Sequence, residues 1–531
     1  MQVPNALVGA RVSRRTAIGL LGMGTGAAAV AACGAPVASG PAPTVAVQPK
    51  AGGKLRINGI NPSPLDGHTA GASGTNTVTW HIWDPLVYIG KDLKLEGRLA
   101  ESWDASADLK QIKFNLRKGV PFHTGREFTS ADIAWNMQHV LKPEGTANYA
   151  VQAQQWTFET PDKYTVIFKS TQSRPFAWEF FHNFNILDPV TGQGPEAKTK
   201  AVGTGPFAMA EWVQGVHFSL TKNKNYFKSG RPYLDELDFV ITADAQATVL
   251  QFESGSLDLL YLPPIRDAVR LRANKAYQVI SNKYAGSFFN TLNLDYPPLN
   301  DKRVRQALNY AIDRKRWTDT IMLGEAEPVD LPWGPLNLAY EASKNTKYTY
   351  DLDKARSLLK DAGVTSAEFD FLVQATHTER ISFAELVAPD YAKLGIKLNI
   401  VKMDPTTWNT VTSAGNGPTK YKGLNGSPTG QGGNGEPANT AYATSNWWRY
   451  DGVNSSNYKG EQYKSLVNQL LVEPSQDKRK SLYSQVNDII LDDAWLNIYA
   501  TRPDHVVTAS KVHDFAWPPF SRLEFVDVWI E

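Results

Sequence analysis

Cys33 is the only cysteine in 531 residues. Everything after it must therefore fold without a disulfide, a thiolate nucleophile or a cysteine metal site. Stability has to come from apolar cores, and the chain has the means: 42% of its residues are hydrophobic, with 15 Trp, 21 Tyr and 22 Phe. About 480 residues follow position 50, too many for one core, so two or three domains are expected.

The surroundings of Cys33 read as export signals. Arg11, Arg14 and Arg15 precede a Gly- and Ala-rich apolar stretch from Thr16 to Val30, which is signal-peptide anatomy and short for a bilayer span. Val30-Ala31-Ala32-Cys33 resembles a bacterial lipobox, implying a signal peptide over 1–32 and a mature chain that begins at a diacylglyceryl-modified Cys33. Ser13-Arg14-Arg15-Thr16-Ala17-Ile18 resembles a twin-arginine signal, with Ala17 where that motif prefers Phe, so the general secretory route stays open. Residues 33–50, rich in Pro, Ala and Val without an acid, read as an extended tether. Removing residues 1–32 with their three arginines leaves 52 basic against 53 acidic groups. So balanced a chain lacks the concentrated basic surface that nucleic acid requires.

Local patterns mix strands and helices. Lys54-Leu55-Arg56-Ile57 and Gln111 to Leu116 alternate as strands do. Thr129 stands as N-cap before a helix carrying Ile133, Met137 and Val140. One amphipathic helix is expected over 301–317, and another over 351–362 that ends at Gly363. Phe122-His123-Thr124-Gly125 reads as a tight turn in which Gly supplies a positive φ and His bonds backbone. Gly203-Thr204-Gly205-Pro206 reads as a close backbone passage at a domain crossing, with Trp103 and Phe207 in cores. The stretch from Tyr421 to Gly435 collapses into Gly, Ser, Pro, Thr and Asn and is a loop.

Catalytic motifs are missing. The sequence contains no G-x-S-x-G, no H-E-x-x-H and no Walker phrase, and its nine histidines never fall at ligand spacing i, i+4. Asp492-Asp493 reads as solvated surface charge. No enzyme activity, metal or cofactor is expected, although an exported hydrolase of peptides or glycans stands as the reading from a different class.

The positive signal is a series of phrases over residues 53–531. Leu99-Ala100-Glu101-Ser102-Trp103, Phe114 to Gly125, Phe128 to Asp132, Gly203 to Phe207, Arg231 to Asp235, Pro297 to Asp301 and Val304 to Arg314 resemble the extracytoplasmic solute-binding proteins of the dipeptide, oligopeptide and nickel ABC importer family. Tyr350 to Gly363 and Arg479 to Tyr499 resemble its later helices. The resemblance implies an α/β fold of the periplasmic-binding-protein-like, cluster C type: two lobes with a hinge plus an extra inserted domain. Domain I would comprise 51–87, 199–285 and 497–531, domain II 88–198 and domain III 286–496, with hinge crossings near 285–295 and 495–500. It further implies a monomer, anchored through its lipid to the outer face of the cell membrane, that delivers solute to the transmembrane subunits of an ABC permease.

For the ligand, two readings are open. The family's peptide binders place an aspartate in a domain III phrase that here runs Gly432-Gly433-Asn434-Gly435-Glu436, leaving Gly433 at the position of the acid. Either Glu436 substitutes as counter-charge for a peptide ammonium, or the solute has no free amine. Trp447 and Trp448, with Trp408, suggest an aromatic wall on which a neutral oligosaccharide would stack.

Overall fold

The alternation at residues 54–57 becomes a strand whose two faces do different work. Leu55 and Ile57 are buried, while Lys54 reaches Glu236 and Asp238 at 2.8 Å each and Arg56 reaches Asp258 at 2.8 Å. The inward residues thus join a core, and the outward charges bond to the next strands. The computed structural model describes residues 48–62, 65–68, 77–142, 150–412, 420–426, 448, 454–517 and 523–531. Cys33 and the tether to residue 47 lie outside that set.

The strands used below are β1 (Lys54–Gly59), β2 (Ala100–Ala105), β3 (Gln111–Leu116), β4 (Thr157–Asp162), β5 (Thr165–Lys169), β6 (Phe207–Val213) and β7 (His217–Lys222). They continue as β8 (Glu236–Ile241), β9 (Leu259–Tyr261), β10 (Tyr277–Leu292), β11 (Ala367–Gln374), β12 (Ile396–Met403), β13 (Gly423–Asn425) and β14 (Leu496–Ala509). Ten of them form one sheet in the order β12-β11-β13-β10-β14-β9-β1-β8-β7-β6. Its centre is the antiparallel pair β10 and β14, 16 and 14 residues long, far above the usual five or six. The register between them shifts between Asn282 and Gly286 and again between Phe288 and Phe289. A second sheet, β2-β3-β5-β4, is wholly antiparallel.

Buried side chains gather in separate cores. One draws on residues 86–202, with Phe114, Phe128, Ile133, Met137 and Phe181 at its centre. Another combines Leu55, Ile57, Phe207, Phe218 and Phe239 with Val506 and Phe525 from the chain's end. Two more flank β10 and β14 and draw on residues 288–500, one of them taking in Phe176 as well.

Helix boundaries follow their caps. In α1 (Ser130–Val140) the Thr129 amide donates to Asp132 Oδ2 at 2.7 Å, completing a capping box. The helix expected over 301–317 is two, α2 (Lys302–Tyr310) and α3 (Arg314–Thr320). Asp301 caps the first, and Asp313 accepts from the Arg316 amide at 2.9 Å to start the second. An apolar stripe runs through both, so periodicity alone could not expose the break. The helix α4 (Leu352–Asp361) forms as expected, with Asp351 as N-cap and Gly363 at φ +72°.

The two glycine-bearing turns also form. Gly125 has φ +89°, and His123 Nε2 lies 3.0 Å from the Gly205 carbonyl, with burial pushing its pKa down to about 4. A Cβ on Gly203 would lie 2.2 Å from the Ile82 carbonyl oxygen, and one on Gly205 2.5 Å from that of His81. Phe207 is fully buried, whereas Trp103 is half-buried on the edge of its core.

Candidate functional site

Strands that run parallel leave a crevice outside their carboxyl ends, where ligands of open α/β sheets bind. This chain has two such sets. On one side β13 pairs with β10 through Thr291–Asn425, and β11 and β12 run parallel to β13. On the other, β9 pairs with β14 through Tyr261–Val506, and β1 and β8 run parallel to β9. Followed along the register, both sets of carboxyl ends point at the same middle stretch of β10 and β14, residues 281–290 and 497–505. The stretch contains both register shifts.

The floor of this crevice is charged. Gly286 pairs with Arg502 and Phe288 with Ala500, so Arg502 and Asp504 lie on the face that carries the Phe288 ring. Arg502 Nε stands 3.4 Å from Asp504 Oδ1, with the arginine side chain 29% exposed and the aspartate nearly enclosed. Burial raises the pKa of Asp504 against the pull of Arg502. Tyr261, the last residue of β9, is pushed up to about 12 by burial and then by Asp504; its ring lies 6.0 Å from that of Trp517. From the opposite side, Arg380 in the first turn of α5 (Thr378–Ala392) sets its guanidinium carbon 5.3 Å from the Phe288 ring centre. Burial lowers the pKa of Arg380, and nearby Arg502 adds to that lowering. His377 is brought down to about 4 by burial and then by the Arg380 charge.

The wall formed by Thr291, Asn293, Trp408, Tyr421, Asn425 and Asn457 is polar and internally bonded. Trp408 Nε1 donates to Asn425 Oδ1 at 3.1 Å, and the Tyr421 hydroxyl lies 3.0 Å from Thr291 Oγ1 and donates to the Ser455 carbonyl at 2.7 Å. Asn293 Nδ2 donates to the Tyr421 carbonyl at 2.6 Å, and Asn293 Oδ1 accepts from Asn457 Nδ2 at 2.7 Å. These bonds fix the ends of β10 and β13 together.

Of the expected aromatic platforms, Trp408 and Trp448 fall among the described residues, and both are buried. Trp408 reaches the carboxyl edge but is 4% exposed, its ring packed with Leu372 and Tyr421. It buttresses Asn425 rather than offering a stacking face. Trp448 is fully buried, its ring centre 5.7 Å from Phe289, 5.5 Å from Trp333 and 6.3 Å from Trp495, so it belongs to a core. Gly433, Asn434, Glu436 and Trp447 lie outside the described residues.

Arg380, Arg502, Asp504 and Tyr261 were not singled out from the sequence. A signal existed for two: Thr501-Arg502-Pro503-Asp504 interrupts a run from Leu496 to Val507 that is otherwise apolar but for Asn497 and His505. Among the described residues no three His, Cys, Asp or Glu come together as a metal site, and no helix is long and apolar enough to cross a membrane. Asp492 and Asp493 are engaged, with Lys302 and the Tyr458 hydroxyl at 2.6 Å each.

Comparison with known proteins agrees with this geometry. Residues 94–429 match the family model "Bacterial extracellular solute-binding proteins, family 5 Middle". Heme-binding protein A of Haemophilus influenzae is 26% identical over 491 residues, covering 86% of this chain and 88% of its own. Di/tripeptide-binding protein 1 of Pseudomonas aeruginosa is 26% identical over 81% of this chain and 85% of its own. Among solved structures, AgaA from A. tumefaciens in complex with agropinic acid superposes with a TM-score of 0.78 at 26% identity, over 90% of this chain and 99% of its own. The peptide-bound DppA of Helicobacter pylori, at 24% identity, shares the fold with a TM-score of 0.79 over 91% of this chain and 99% of its own.

Proposed function

Because this chain belongs to the bacterial extracellular solute-binding proteins of family 5, we propose that it captures a small charged solute in the crevice between its lobes and delivers it to an ABC permease. The lobes are domains I and III as read from the sequence, joined through the middle of β10 and β14, with domain II inserted. The register irregularities at 282–289 support a hinge there, since a ladder already broken bends at less cost.

The observation that carries the ligand class is the Arg502–Asp504 pair on the crevice floor. A neutral sugar would bury both charges without replacing the hydration they lose, whereas a solute with a carboxylate and an ammonium repartners each of them. This favours a peptide-like solute over an oligosaccharide. The named relatives bind heme, di- and tripeptides and agropinic acid, so the ligand varies within the family.

Calorimetric titration against dipeptides to tetrapeptides, glutathione and neutral oligosaccharides tests the reading. Peptide-like solutes are expected to bind and to reduce the radius of gyration as the lobes close. Arg502→Met is expected to weaken that binding by about 1.5–3 kcal/mol, roughly one to two orders of magnitude. Oligosaccharide binding that is indifferent to Arg502→Met defeats it.

The anchor is part of the same proposal. A diacylglyceryl group supplies two chains, enough for stable attachment where one is marginal. Cys33→Ala is therefore expected to move the protein from the membrane fraction to the supernatant of lysed cells. A variant that stays with the membranes would mean that Cys33 is not the anchor.

A further inference from the structure

The core of residues 86–202 draws nearly all its members from the inserted domain. Ala177, Phe180 and Phe181 of the helix Ala177–Asn183 pack into it, but Phe176, at that helix's N-cap, belongs to the other core, the one that holds Phe289, Trp333, Trp448 and Trp495. The Phe176 ring is 7% exposed. Arg479 covers it, the guanidinium carbon 5.7 Å from the ring centre, and Arg479 is itself held by the carbonyls of Glu473 at 3.0 Å and Pro474 at 2.9 Å.

The rim of this insertion is imperfect. Gln152, Trp156, Arg174, Phe180 and Leu471 line, with Phe176, a partly open pocket of about 10 Å³. Among the described residues Gln152 Oε1 and Ser173 Oγ are buried without a hydrogen-bond partner, and burial lowers the pKa of Arg174. An apolar insertion that favours the contact is thus set against buried polar groups that oppose it.

Attachment on the other side of the same domain is of a different kind. Arg98 is buried, ion-paired with Glu524, bonded to the Tyr226 hydroxyl at 3.1 Å and stacked over the Tyr88 ring at 4.4 Å. The Tyr226 hydroxyl in turn donates to Asp84 at 3.1 Å. The inserted domain is therefore joined to the lobe of β1 and β8 through a buried ion pair and its hydrogen bonds, and to the lobe of α2 to α5 through the Phe176 insertion with unsatisfied polar groups at its rim.

We propose that Phe176 and Arg479 form a releasable latch, through which the inserted domain holds domain III in the lobes-together state and lets it go when the lobes part. The inference rests on the lobe-closure reading above and adds a third contact to it. A latch of this kind biases a two-state equilibrium by its own contact free energy and is independent of which solute fills the crevice.

The test needs no solute. In a Cys33→Ala background, spin labels at Val151→Cys and Lys478→Cys, both exposed positions, report the separation of the two domains by pulsed electron resonance. The parent protein is expected to give a short-distance fraction beside longer ones and Phe176→Ala to lose that fraction, while Phe176→Leu keeps it. Arg479→Met, which keeps the apolar packing, is expected to shift part of the population and carries the test should Phe176→Ala lose its circular dichroism. Distributions for both variants that superimpose on the parent overturn the latch. Shifted distances without binding of any peptide, glutathione or oligosaccharide leave the latch standing and remove the solute assignment; unshifted distances with binding do the reverse.

Discussion

Arg314→Met is expected to lower unfolding stability by about 3–5 kcal/mol, because it leaves an aspartate buried without its counter-charge. Arg314 and Asp330 form an ion pair at 3.1 Å with side chains 6% and 2% exposed. The guanidinium also donates to the Ile498 and Asn309 carbonyls at 3.0 Å each and to that of Tyr348 at 3.1 Å, tying the start of α3 to β14 and to the segment before α4. Burial lowers the pKa of Arg314 and raises that of Asp330, so each ion is tolerated because of the other. Denaturant unfolding read by tryptophan fluorescence measures the loss. Arg314→Met combined with Asp330→Asn should recover much of it, since the uncompensated charge is then gone. A single variant within 1 kcal/mol of the parent, on the order of an exposed pair, would mean that the pair is screened by water.

What the sequence made legible was local. Leu55 and Ile57 went inward because a strand alternates, Thr129 and Asp351 began helices because their oxygens satisfy free amides, and Gly125 took positive φ because it has no Cβ. The α2–α3 break at Asp313 was hidden because the same apolar stripe serves one helix or two. The crevice floor was hidden for a different reason. Arg502 meets Gly286 across more than two hundred residues, and only the register of β10 against β14 puts it on the same face as Phe288. Charged residues inside a buried strand were the available clue, but no periodicity says which carboxyl ends will point at them. Family phrases located the scaffold and passed over this floor, which is where a binding family would vary while its fold is kept.

The direction of an aromatic side chain is the other thing a linear reading cannot give, and Trp448 makes that testable. Beside a Gly-rich loop it reads as a solute platform, whose loss would weaken binding and spare the fold. In the structure its ring is fully enclosed by Phe289, Trp333 and Trp495, and its carbonyl accepts from the Tyr463 hydroxyl at 2.9 Å. Trp448→Ala therefore opens a cavity in a core that the chain has no disulfide to brace, with an expected loss of about 3–5 kcal/mol in denaturant unfolding. Among the molecules still folded, calorimetry should find solute affinity within a factor of about three of the parent, a difference under 1 kcal/mol. Phe in place of Trp448 should restore part of the stability, because a ring that refills the cavity recovers most of the lost contacts. The reverse pattern, unchanged stability with affinity down ten- to a hundredfold, would return Trp448 to the solute, since that is the roughly 1–3 kcal/mol loss expected of a stacking face.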